Sequence, residues 1–476
     1  MKKLLILGLI GSLAFSKVVS FDEVLKETLK NNLSLKAKKL NIKKAKARLE
    51  EAKGYDFGKL IFSEEVARTN NPLYVFGMKL ESHEATFRDF GFSDFLGGIG
   101  QVMQLSNGDF KTFSSIMSNP ALQNQMLNTA PDDLNNPKAR TNFKTKLVYE
   151  VPIFTSFKLT YAKEMAKLQI LANEFKYMDD KNALAIEVLK AYNGAVAAKY
   201  FIDALNKAKE TTTSFVNMIE SFYKEGMVTQ IDLLEAKKRD AQVDAMLVEA
   251  ESKYKLALSY LRFISDDYSI TDVKDFKVIK PPTTSIAELQ RIALKNRNDL
   301  KWMQKNLETM QKRVKFIRAD KYPMVGAHLE YGFSDNSLTL DRDKDYYMLA
   351  AGLKWNIFDS SLGAKSEQAK IDAMQIAHYY EYMKKGIKLD VEQKLLNYKA
   401  KRAVVQEKIT NKELAEEILK KYTYMYKQGM INITILLMKE AGARKARAEL
   451  IKAKFEEALA AAELKKALGD FIKESK

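Results

Sequence analysis

The chain has 476 residues, 46% of them hydrophobic, with only 8 prolines and 20 glycines. It can bury a large core, and the scarcity of turn residues argues against a sandwich or propeller and for long uninterrupted elements. Cysteine is absent, which excludes disulfides, thiolate metal sites and cysteine nucleophiles. The three histidines do not suit a multi-histidine metal centre, and the net charge of +17 is interleaved with acids, so it reads as a solvated surface and not as a nucleic-acid patch.

In chain order, Lys2 and Lys3 precede an apolar run from Leu4 to Phe15, and Ala14 and Ser16 stand at −3 and −1 of a cut before Lys17. These parts predict a secretory signal peptide over residues 1–16. The run is shorter than the ~20 residues needed to span a bilayer. No later stretch is a candidate span. The mature chain is therefore expected outside the cytoplasm, either soluble or inserted as a β-barrel.

The rest is written twice. Leu29-Lys30-Asn31 recurs 265 positions later as Leu294-Lys295-Asn296, and Ile153-Phe154 recurs 204 later as Ile357-Phe358. Tyr223, Gly226 and Met227 recur 203 later as Tyr426, Gly429 and Met430. The spacing falls from 265 to 204, so the first copy holds 61 extra residues. They fall in a stretch rich in Asn, Gly, Met and Phe, with prolines at 72, 120, 131 and 137, which reads as irregular. The first repeat is assigned to 17–285, with strands about 57–68 and 142–154, an insertion about 69–141 and a tip turn at 224–229. The second is 286–476, with strands about 322–334 and 345–358 and a tip turn at 427–432.

Each copy predicts one helix (about 21–54; about 286–319), two strands, a very long helix ending near a glycine, and a shorter returning helix. On the first long helix Phe201, Leu205, Ala208, Thr212, Phe215, Ile219 and Phe222 step by four and three. The returning helix carries a matching series from Leu233 to Ile264, with Asp240 its only misfit. Sustained 3-4 spacing on two segments joined by a glycine predicts an antiparallel coiled-coil hairpin. About 70 helical residues would extend about 105 Å.

In the strands, Val325, Ala327, Leu329, Tyr331 and Phe333 alternate with Gly326, His328, Glu330, Gly332 and Ser334. Tyr347, Leu349, Ala351 and Leu353, and likewise Phe143, Thr145, Leu147, Tyr149 and Val151, keep the same alternation. The run about 57–68 alternates poorly and is placed by symmetry. Such strands suit an outer-membrane barrel wall, although a half-buried soluble sheet alternates in the same way. Four strands cannot close a barrel, for which about eight is the practical minimum, so several chains must share one. Three chains would give twelve strands.

With these features the chain resembles the TolC-like outer-membrane efflux family. The resemblance rests on the duplicated helix–strand–strand–helix–helix order and on the strand-end motifs Val151-Pro152-Ile153-Phe154 and Trp355-Asn356-Ile357-Phe358. It also rests on the tip motifs Gly226-Met227-Val228 with Leu233-Leu234-Glu235-Ala236, and Gly429-Met430-Ile431 with Leu436-Leu437. It implies a mainly α fold with membrane β: a long coiled-coil α-barrel, and four strands contributed to a shared twelve-stranded trimeric β-barrel in the outer membrane. It further implies a homotrimer in outer-membrane lipid that exports small molecules or polypeptides, partnered by a periplasmic adaptor and an inner-membrane transporter, with no cofactor. Adaptor contact falls on Gly226, Met227, Val228, Gly429, Met430 and Ile431. The family closes its periplasmic end with polar links and an acidic ring. Asp232 and Tyr426 match link positions and predict a hydrogen bond, with Glu235 a second carboxylate. Ile431 replaces a basic partner, and Ile435 and Met438 stand at the two acidic positions.

The alternative readings are a periplasmic adaptor or other coiled-coil envelope protein, a nucleic-acid protein and a secreted enzyme. An adaptor would carry one hairpin amid β-rich domains, and the leader opposes nucleic acid. The chain has no G-x-S-x-G, P-loop or H-E-x-x-H motif.

Overall fold

The computed structural model describes residues 17–469, 471 and 472; the leader expected over 1–16 lies outside the described residues. Strand β1 (Lys17–Val19) leads into helices α1 (Phe21–Asn31) and α2 (Leu33–Gly54). Strand β2 (Lys59–Thr69) is followed by five short helices: α3 (Pro72–Glu81), α4 (Phe92–Leu105), α5 (Phe110–Met117), α6 (Pro120–Leu127) and α7 (Asp132–Asn135). Strand β3 (Arg140–Phe154), the 67-residue helix α8 (Lys158–Lys224), helix α9 (Gln230–Ser265) and strand β4 (Ile270–Val273) complete the first copy. The second comprises α10 (Ile286–Asn296), α11 (Asn298–Arg318), β5 (Met324–Asp335), β6 (Asp345–Lys354), the 68-residue α12 (Ser360–Lys427) and α13 (Ile433–Ala467).

Two compact units result, and each draws on both copies. The helical unit takes the chain up to Ala47, Lys167–Gln311 and Ile371 onward; the strand unit takes Arg48–Ala166 and Lys312–Lys370.

In the helical unit, the single opening helix expected of each copy is two. The breaks fall at Asn32 and Arg297, where ψ turns to 117° and 124°. These positions are 265 apart, the offset of the Leu-Lys-Asn landmark that precedes each. The Asn32 side chain accepts from Leu35 N (3.0 Å), capping α2, and donates to Ile264 O (3.2 Å). Arg297 instead forks between Asp299 and Asp390, each at 2.6 Å. A two-stranded parallel sheet, β1 beside β4, was not legible in segments this short. Val19, Ile270 and Val273 bury there with Leu189, Tyr192 and Leu261.

The heptad positions form the hairpin core. Leu205, Ala208, Thr212, Phe215 and Ile219 of α8 are buried, as are Leu233, Ala236, Val243 and Ala250 of α9. The misfit Asp240 is a clasp. It accepts from Lys209 Nζ (2.8 Å), Thr212 Oγ1 (2.7 Å) and Thr213 Oγ1 (3.1 Å).

In the strand unit the sheet order is β2-β3-β5-β6, antiparallel throughout. Register aligns Leu60, Tyr149, Leu329 and Leu349 across all four strands, and Phe62, Leu147, Tyr331 and Tyr347 in the next row. The poorly alternating β2 thus joins the apolar face, with Glu64 its break; that carboxylate takes the Thr145 hydroxyl. Pro152 lies beside a register irregularity, as a proline in a strand should.

Burial of this sheet is inverted. On the apolar face Leu60, Phe62, Tyr347 and Leu349 are 63–83% exposed. On the other face Val148 and Glu330 are buried, and ion pairs join Lys59 to Glu150 (2.9 Å) and Lys146 to Glu330 (3.6 Å).

The insertion is helical and not irregular. Asn71, Asp109 and Asn119 are N-caps, and Pro72 and Pro120 occupy the first helical turn of α3 and α6. The Asn and Pro residues that read as loop signals are helix starts.

Candidate functional site

Both long helices end in the same way. Gly226 and Gly429 have φ of 73° and 69°, the left-handed region where glycine carries no Cβ penalty. Met227 N donates to Phe222 O (2.8 Å) and Gly226 N to Tyr223 O (3.0 Å). Met430 N donates to Met425 O (3.0 Å) and Gly429 N to Tyr426 O (3.0 Å). Each is a Schellman stop, which satisfies carbonyls the helix end would orphan. The returning helices start on side-chain caps: Thr229 in a reciprocal box with Asp232, and Asn432 on Ile435 N (3.0 Å). The reversal is thereby fixed at both ends by local sequence.

The two tips share one core. Phe215, Ile219 and Leu233 from the first hairpin pack with Leu419, Tyr426, Ile433 and Leu436 from the second. Val228 and Ile431 lie half-buried against it. Met227 and Met430 stand out, 67% and 66% exposed, beside the exposed Gly226 and Gly429. Glu235 is exposed and accepts from Thr434 Oγ1 (3.1 Å), bridging α9 to α13. Ile435 is half-buried and Met438 is exposed.

The expected Tyr426–Asp232 hydrogen bond is not formed within the protomer. The Asp232 carboxylate is occupied by Thr229, accepting from its backbone N (2.8 Å) and its hydroxyl (2.7 Å). The Tyr426 hydroxyl is buried with no hydrogen-bond partner among the described residues. Burial, with the nearby Asp232 charge second, pushes its pKa up to about 12. The capping box wins because it is local and needs no further chain to be ordered.

Two acids here escaped the site reading. Asp240 showed in the sequence as the heptad misfit. Burial works against its charge, yet Lys209, Thr212 and Thr213 hold its carboxyl below the usual aspartate range. Glu440 is buried on α13, with Oε1 accepting from Arg444 Nε (3.2 Å) and Oε2 without a hydrogen-bond partner among the described residues. The four-residue spacing of that pair was its sequence signal.

The family model for outer membrane efflux proteins matches residues 115–265 and 289–470. The chain belongs to the outer membrane efflux protein family. This is the TolC-like group, an efflux family and not an enzyme family, and it places the chain at the outer membrane with its long helices on the periplasmic side. The match includes both hairpins and both tips, and leaves β2 and the insertion up to residue 114 outside. The alkaline protease secretion protein AprF of Pseudomonas aeruginosa is 21% identical over 259 residues. That alignment covers 53% of each chain, so this chain spans about half the length of the curated relative it matches.

Solved structures share the fold. CusC, in a study of folding and transmembrane channel formation, superposes with a TM-score of 0.73 at 14% identity, covering 94% of this chain and 92% of that one. The CmeC outer membrane channel of Campylobacter jejuni gives 0.72 at 16%, covering 96% and 89%. The outer membrane protein VceC of Vibrio cholerae gives 0.71 at 14%, covering 95% and 96%. Among the described residues no helix is long and apolar enough to cross a membrane.

Proposed function

We propose that three copies of this chain form one outer-membrane channel that exports small molecules or polypeptides to the exterior. The observation that carries this reading is the sheet: its apolar face is exposed, while Val148 and Glu330 on its ionic face are buried. A soluble sheet buries the opposite face. Lipid against Leu60, Phe62, Tyr347 and Leu349 removes the discrepancy. Among the described residues strands β2 and β6 are unpaired edges, and pairing the β6 edge of one copy with the β2 edge of the next closes twelve strands at three copies. Tyr382, Leu389 and Leu396 on α12 support the same assembly. They are exposed at steps of seven, a coiled-coil seam that no helix among the described residues covers.

In this reading the insertion, which joins β2 to β3, is extracellular. The tips are the periplasmic ends. Gly226, Met227, Val228, Gly429, Met430 and Ile431 meet a periplasmic adaptor that couples the channel to an inner-membrane transporter. Asp232, Glu235, Tyr426, Ile435 and Met438 form the gate. Its closure is mainly apolar, through the shared tip core, with the Glu235–Thr434 contact as the polar link made inside one copy. The name of the Pseudomonas relative, a protease secretion protein, supports polypeptides as one cargo class.

Chemical cross-linking in isolated outer membranes tests the assembly. The ladder should end at three chains; a ladder ending at two or four, or a water-soluble monomer, overturns it.

A further inference from the structure

We infer that the five-helix insertions of neighbouring copies pack on one another across the outer mouth of the channel; the inference rests on the proposal of three copies sharing one barrel. The first observation is how the insertion is anchored. Glu81, at the end of α3, accepts from Lys144 Nζ (2.5 Å) and Ser334 Oγ (3.3 Å). Lys144 and Ser334 are register partners on the ionic face of the sheet, not on the apolar one. Glu84 then pairs with Arg140 (2.6 Å) and Lys344 (2.9 Å), fixing the same segment to the strand ends. If the apolar face meets lipid, the ionic face meets the lumen, and the insertion enters on the lumen side.

The second observation is what the insertion leaves uncovered. Among the described residues, Val75 and Val102 are its buried apolar side chains. Leu96, Leu105, Phe110 and Leu127 are 60–78% exposed. Residues 90–131 hold three charged side chains, Asp94, Asp109 and Lys111, in a chain where 29% of residues are charged. Asp94 is occupied by Asp132 N (2.8 Å) and Asp109 by Thr112 N (2.9 Å). An exposed apolar surface of this kind marks a contact.

A second copy fits it better than lipid. The anchor puts the insertion on the side of the wall away from the bilayer. Helices that lie on membranes carry several basic residues on their polar face, and residues 90–131 contain one, Lys111. A three-fold axis brings three identical surfaces together, and with so little charge they meet without like-charge repulsion.

Because the chain has no cysteine, single-cysteine variants of the full protein give an unambiguous test. Leu105→Cys, Phe110→Cys and Leu127→Cys, treated with a copper–phenanthroline oxidant in outer membranes, should yield covalent dimers at one or more of the three positions. Leu349→Cys, on the lipid-facing wall, should remain uncoupled. Native mass measurement of the same samples reads the assembly independently. A trimer with no dimer at any of the three positions overturns the insertion contact and leaves the channel reading standing. A spin label at Phe110 that is relaxed by nitroxide-bearing lipid, and not by labels on other copies, also overturns it, in favour of lipid. A monomer in native mass overturns both.

Discussion

The two hairpins share a length, a tip geometry and a core, yet they are joined by different chemistry. In the first, the ion pairs between the helices concentrate at one level: Lys209 reaches Asp240 (2.8 Å) and Asp244 (2.6 Å), and Thr212 and Thr213 complete Asp240. In the second they are spread along a ladder. Lys394–Glu463, Lys401–Glu456 and Lys408–Glu449 pair at 2.7–2.9 Å, stepping by seven along both helices. Duplication thus kept the apolar register and let the polar layer drift. A concentrated clasp should fail at one residue, whereas a ladder should tolerate the loss of any single rung.

The largest effect lies where the hairpins have become one body. Leu436 is fully buried in the core that the two tips share. Leu436→Ala should cost about 2–5 kcal/mol, the range for a buried leucine truncation. Hydrogen exchange read by mass spectrometry should show amides of both tips losing protection together. Loss confined to the second tip would mean that the shared core does not couple them.

The clasp comes next. Asp240→Ala leaves Lys209 with Asp244 only and takes the carboxylate from Thr212 and Thr213. It should cost roughly 1–3 kcal/mol, as for charged hydrogen bonds in partly buried sites. Exchange should quicken in α8 and α9 near residue 240 and not in α13. The pH dependence has a definite sign. The folded Asp240 carboxyl is held below its ordinary value, so its contribution is present above the ordinary aspartate range and is lost as pH falls through the lower folded value. Lys209 is held above the ordinary lysine range, burial opposing and Asp240 and Asp244 prevailing, so its share persists until pH rises beyond that range. Protection of the first hairpin should be flat across neutral pH and fall only in acid, and Asp240→Asn should remove that acid-dependent step.

The contrast between hairpins also shows what a sequence can disclose. Long helices, tip glycines and strand faces were legible because each rests on local periodicity or on a φ that glycine favours. The breaks at Asn32 and Arg297 were not, because their partners, Ile264 O and Asp390, come from distant segments. Strands β1 and β4 are too short for alternation to show. The insertion's helices were hidden by residues with two meanings, since Asn-Pro starts a helix as readily as it makes a turn. At the tip, Thr229 stands three residues before Asp232, and that capping spacing was visible in the sequence. Weighed against a distant tyrosine, it would have assigned the carboxylate correctly.

Tyr426 sharpens the comparison further. Its buried hydroxyl has no partner among the described residues, so Tyr426→Phe should be neutral or slightly stabilising, within about 1 kcal/mol. Resting conductance in planar bilayers then separates two states of the assembled gate. Unchanged conductance is expected if the hydroxyl remains unpartnered between copies. A rise would show that a neighbouring copy supplies its acceptor.

The smallest effect is expected on the ladder. Each rung joins side chains that are 24–37% exposed, with Lys401 at 37% and Glu456 at 31%. Solvent screens such pairs, and a single one contributes roughly 0–1 kcal/mol. Glu456 also has Lys452 within 3.9 Å, and Glu449 has Lys445 within 3.8 Å, so neither carboxylate is left without a cation when its rung is removed. Lys401→Ala should therefore scarcely change exchange in α12 and α13. Replacing Lys394, Lys401 and Lys408 together should accumulate to a measurable loss that raised salt reproduces in the wild type, because exposed pairs are screened within about 10 Å at 0.1 M. Salt should affect the first hairpin less, since Asp240 also holds two uncharged hydroxyls. If Lys401→Ala alone loosens the second hairpin as much as Asp240→Ala loosens the first, the rungs act as one cooperative unit, and the distinction between clasp and ladder fails.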